Sequence, residues 1–118
     1  MIRATAVCAL LLSACAGSLP PSAPPDPAVA AKVRTLSGDN PCSDAFARVL
    51  TAYRIPPDRL VGFVLPTVSY DHPGTPLERQ AWFKLAGGGG SLVMGYDATQ
   101  CGISDINARD GAVLPAIG

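Results

Sequence analysis

The sequence is poor in the residues that most chemistry needs: one histidine, His72, and one tryptophan, Trp82, in 118 residues. Histidine-centred acid–base catalysis has only His72 to draw on, and it stands between Asp71 and Pro73 with no nucleophile beside it. The four cysteines form no Cys-x-x-Cys, and no second histidine joins them, so neither a redox couple, a metal site nor a cofactor is predicted. Charge of either sign is scarce and scattered, nine basic residues against nine acidic. Without a basic stripe, nucleic acid is not an expected partner. No apolar run approaches the roughly 20 residues of a transmembrane helix. The carboxylates of Asp58, Asp71, Glu78, Asp97, Asp105 and Asp110 mostly adjoin turns, where aspartate serves the backbone. So short a chain also leaves little room for a cleft between two lobes. The expectation is a protein that is not an enzyme.

What is present begins with an address. Arg3, an apolar core from Ala4 through Leu12 and small residues before a cysteine follow the secretory pattern. Leu12-Ser13-Ala14-Cys15 resembles the lipobox of bacterial lipoproteins. That resemblance implies cleavage before Cys15, acylation of its sulfur and new amino group, and membrane attachment through the lipid. Several acyl chains anchor durably where one, at about 0.8 kcal/mol per buried CH₂, does not. Ala16 stands where an aspartate in that family often marks inner-membrane retention, which favours the periplasmic face of the outer membrane. The alternative is a plain leader cut near Ala14 or Ala16, releasing a soluble secreted protein.

Cleavage removes Cys8 and lipid occupies Cys15, leaving Cys42 and Cys101 as a pair in an oxidising compartment. A disulfide is expected from compartment and count. A closed loop of about 60 residues is worth up to roughly 4 kcal/mol in the chain-entropy model.

From Ser18 to Val29, five prolines lie between Pro20 and Pro27, the composition of an extended tether. Ala30 to Ser37 carries no decisive signal. Asn40-Pro41 then offers an N-cap and a first-turn proline, and Phe46, Val49, Leu50 and Tyr53 make one apolar helical stripe. Pro56-Pro57 stops that helix near Arg54. Leu60 to Leu65 reads as a strand, and Asp71 to Pro76 as a projecting loop. Arg79 to Leu85 alternates, with Ala81, Phe83 and Leu85 on one side and Gln80, Trp82 and Lys84 on the other. Trp82 therefore either packs beneath a loop or is exposed as a contact residue. Gly87 to Gly90 is a hairpin connection and not a phosphate loop, since no Gly-Lys-Ser/Thr follows. Ser91 to Tyr96 and Cys101 to Ile106 complete the strands, and Val113, Leu114 and Ile117 stand in a small-residue tail.

The reading is α+β: one N-terminal amphipathic helix packed on a small antiparallel sheet of three or four strands, stapled by one disulfide. The division is 1–14 signal peptide, 15–37 lipidated cysteine and proline-rich tether, 38–108 domain and 109–118 tail. Trp82-Phe83 in one strand, and Leu92-Val93-Met94-Gly95-Tyr96-Asp97 running on to Ile103, loosely resemble the small outer-membrane lipoproteins of the barrel-assembly machinery. That family usually places two helices ahead of its sheet, and the disulfide is no part of its shared pattern. The likeness is one of architecture, and fold does not fix function. The functional reading is a non-enzymatic, protein-binding or structural module of the cell envelope, whose free sheet face would bear Trp82 and Tyr70. The alternative is a periplasmic inhibitor that inserts the Asp71 to Pro76 loop, with His72, into a hydrolase such as a lysozyme-type enzyme. A small enzyme is the third reading and the least favoured.

Overall fold

Asp26 and Pro27 start the fold. The Asp26 carboxylate accepts the Ala28 N–H at 2.8 Å, Pro27 takes the first helical position, and helix α1 runs Pro27–Ser37. Gly38, at φ 67°, closes it. The computed structural model describes residues 23–66 and 78–115. Within them, α1 corrects the single-helix expectation and the extension of the tether to residue 37. Val29, Ala30 and Val33 bury one narrow stripe of α1 in the core. Pro27 thus opens a helix instead of ending a linker. Its start is tied down further on, for the Asp26 N–H donates to Thr51 Oγ1 at 2.9 Å and Arg48 Nη1 donates to the Ala23 carbonyl at 3.0 Å.

Helix α2 spans Ser43–Ala52 and buries Phe46, Val49 and Leu50, with Tyr53 buried at its end, which is the stripe the periodicity predicts. It begins later than the Asn40-Pro41 signal suggests. Asn40 Oδ1 accepts the Cys42 N–H at 2.8 Å and the Asn40 carbonyl accepts the Ser43 N–H at 2.9 Å. The asparagine therefore caps a turn ahead of the helix and not the helix itself. The far end closes as a Schellman motif with Arg54 at φ 59° in the left-handed position. There the Ile55 N–H reaches Leu50 O at 3.0 Å and the Arg54 N–H reaches Thr51 O at 2.9 Å. Ile55 is buried beneath it, and Pro56 bars continuation.

Strands β1 (Leu60–Val64), β2 (Glu78–Leu85), β3 (Ser91–Asp97) and β4 (Ile103–Arg109) form an antiparallel meander in the order β1-β2-β3-β4. Phe63 faces Phe83 across β1 and β2, and Phe83 faces Leu92 across β2 and β3. Both helices cover this face. The Phe46 ring stands 4.9 Å from Tyr96 and 5.6 Å from Phe83, edge to face in both cases. The α+β reading therefore holds, with two helices on a four-stranded sheet.

The glycine turn between β2 and β3 has a steric reason at Gly90. Its φ is 84°, and a β-carbon there would run into the backbone of Arg109, Asp110 and Ala112. At the other end of the sheet, Cys42 and Cys101 form the expected disulfide, with Cα atoms 5.1 Å apart. The last strand starts at Ile103, not Cys101, because 98–102 turn. In that turn the Cys101 N–H returns to Asp97 O at 2.7 Å and the Asp97 N–H donates to Gly102 O at 2.8 Å. The strand also continues to Arg109, and beyond it Ala112 and Leu114 pack on the core while Val113 is exposed. The expected boundary at 108 thus cuts β4 short, and part of the expected tail belongs to the domain. Ile117 lies outside the described residues.

Candidate functional site: a sheet face and a cleft

Because strand side chains alternate, the residues between Phe63, Phe83 and Leu92 point away from the helices. Val64, Trp82, Val93 and Asn107 are consecutive cross-strand partners and form one row of this outward face. Lys84, Ser91 and Arg109 form the next row, and Gln80, Gly95 and Asp105 the row beyond. Among the described residues no helix covers this side.

Trp82 lies half-buried at the centre, its Nε1–H donating to Gln80 Oε1 at 3.1 Å. Its position on the side opposite Phe83 is the one the alternation predicts. Val93 beside it is only 3 % exposed, although it stands outside the helix-side core. Sequence reading missed that burial, since a valine in an alternating strand gives no sign of what flanks it. Val61 and Val64, at 56 % and 41 % exposed, extend the apolar surface to the β1 edge.

Polar order brackets the tryptophan. A bulge between Gly95 and Tyr96 frees the Gly95 N–H to donate to Asp105 Oδ1 at 3.1 Å, while Asn107 Nδ2 donates to Asp105 Oδ2 at 3.1 Å. A β-carbon at Gly95 would occupy the place of the Asp105 carboxylate. The Asp105 carboxylate therefore holds the bulge. The described residues contain no group of three or more His, Cys, Asp or Glu able to hold a metal ion. Tyr53 titrates above the ordinary tyrosine range because burial penalises the phenolate.

A second feature lies at the disulfide end of the sheet. Asn40, Pro41, Cys42, Leu65, Arg79, Tyr96 and Ala98 line a cleft of about 230 Å³. Arg79 shares the parity of Ala81 and Phe83 and so projects to the helix side, where it is exposed.

The other sequence candidates are not brought to either place. Cys15, Tyr70 and His72, and the 71–76 loop, lie outside the described residues. Among the described residues no helix is long and apolar enough to cross a membrane. Set against known protein families, characterised proteins and solved structures, the chain finds no match.

Proposed function

We propose that the protein is a lipid-anchored, non-enzymatic component of the bacterial cell envelope, held by Cys15 at the periplasmic face of the outer membrane, which binds a protein partner through its outward sheet face. The lipobox-like Leu12-Ser13-Ala14-Cys15 supports the anchor. The Cys42–Cys101 bond supports export, because disulfides persist in oxidising compartments. Ten residues separate Cys15 from Asp26. In extended proline-rich form such a stretch reaches roughly 30 Å, enough to stand a small domain clear of the lipid headgroups.

The observation that carries the binding role is the half-buried Trp82 beside exposed Val64 and Val61, on a sheet face uncovered among the described residues. Tryptophan on a rigid strand presents a large contact area at little cost in side-chain freedom, and it is enriched where interfaces concentrate their energy. A rim of Gln80, Lys84, Asn107 and Arg109 surrounds it, polar as interface rims are.

The test is a photo-reactive benzoylphenylalanine installed at position 82 in one sample and at exposed Arg48 on α2 in another, irradiated in intact cells. A discrete cross-linked protein from position 82 and not from position 48 is the expected result. Identical patterns from the two positions, or none from either, would refute binding through this face.

A further inference from the structure

The cleft between the Asn40–Cys42 turn and the end of the sheet has the chemistry of a binding site. Its polar lining is made of donors: the Arg79 guanidinium, the Tyr96 hydroxyl and the Asn40 side-chain amide, with no acidic residue among them. Asn40 Oδ1 is occupied by the Cys42 N–H, which leaves the Nδ2 hydrogens to point elsewhere. Tyr96 is 2 % exposed, yet among the described residues neither its hydroxyl nor the Arg79 guanidinium has a hydrogen-bond or ion-pair partner. No buried side-chain nitrogen or oxygen among the described residues lacks a partner, so the Tyr96 hydroxyl is not sealed off but is open to water or a ligand. The rest of the lining is Pro41, Leu65, Ala98 and the disulfide, an apolar floor.

The geometry points to capture of a peptide carboxy terminus that ends in a small apolar residue. The terminal carboxylate supplies two oxygens that only accept, the Arg79 guanidinium only donates, and the Tyr96 hydroxyl has an O–H to donate. An arginine–carboxylate pair of this kind forms two parallel charge-assisted bonds. Asn40, which lines the cleft with its Oδ1 already taken, has Nδ2 hydrogens to offer the preceding peptide carbonyl, which a simple fatty acid or acetate does not possess. The size agrees, because a cavity of about 150 Å³ accommodates benzene while drug-sized ligands need about 300–1,000 Å³. A volume of about 230 Å³ suits one or two small residues. This site lies on the helix side of the sheet and is independent of binding through Trp82.

The experiment is a titration of the full chain, purified in detergent, with acetyl-Ala-Ala bearing a free carboxylate, followed by amide NMR. The same titration is run with acetyl-Ala-Ala-amide, with the D-alanine isomer and with butyrate. Saturable shift changes centred on 40–42, 79 and 96–98 are expected for the free acid, with at least tenfold weaker binding of the amide. Arg79→Gln abolishes that preference, and Tyr96→Phe, which keeps the ring against Phe46, weakens the acid several-fold. Equal binding of acid and amide, an unchanged preference in Arg79→Gln, or no saturable shifts with any probe would overturn the assignment. Butyrate binding as tightly as the L-peptide would overturn the peptide part, as would stronger binding of the D-isomer for a terminus of ordinary protein.

Discussion

Cys42 and Cys101, 59 positions apart, join the turn that leads into α2 to the turn that leads into β4. The bond therefore bridges the helical layer and the sheet at one end, where the long-range contacts between layers would otherwise have to be maintained by packing alone. For a loop of this length the chain-entropy model gives about 4 kcal/mol, a large share of the stability of a small domain. The Cys42→Ala/Cys101→Ala double variant should lose up to that amount in urea unfolding, and reductant should shift the midpoint of the wild type but not of the variant. Equal midpoints with and without reductant would show that the layers do not depend on the bond.

Gly90 carries a second, local commitment. Its left-handed backbone and the crowding of Arg109, Asp110 and Ala112 leave no room for a side chain. Gly90→Ala should cost about 1–3 kcal/mol, whereas Gly87→Ala, with positive φ but open space around it, should cost less. Thermal unfolding of the two variants side by side checks the order, and a reversed order would contradict the packing described for the β2–β3 turn.

Tyr53 gives the fold an alkaline limit. Burial raises its pKa above the ordinary value of 10.0, so the folded state holds the phenol proton more tightly than the unfolded chain does. The stability this contributes is whole below the unfolded value and is lost as pH climbs through the folded one. Unfolding free energy should therefore decline above about pH 10, and Tyr53→Phe should flatten the part of that decline that Tyr53 causes. Parallel curves for the two proteins across that range would remove Tyr53 as the cause.

The second helix was legible in the sequence because Phe46, Val49, Leu50 and Tyr53 repeat at helical spacing over three turns and Pro56-Pro57 end it. The first was not, because Val29 and Val33 are its only large buried residues and the prolines before them carry the signature of a linker. Asn40 shows a different limit. An asparagine that opens a turn and one that caps a helix look alike in sequence, since both use the same side-chain oxygen on a nearby N–H. The face of Trp82 could be read from strand parity alone. The cleft could not, because Asn40 and Arg79 are brought together only when the disulfide and the sheet register fix the Asn40–Cys42 turn over the β2 start.

Mass spectrometry of the amino-terminal peptide, from protein extracted out of bacterial membranes, tests the proposed anchor most directly. The peptide should begin at Cys15 and carry the mass of a diacylglyceryl group with an additional amide-linked acyl chain, and Cys15→Ser should leave the protein with an uncleaved or unlipidated leader. An unmodified peptide beginning near Ala14 or Ala16, from protein found in the soluble periplasmic fraction, would contradict the anchor and leave a secreted, disulfide-stapled domain.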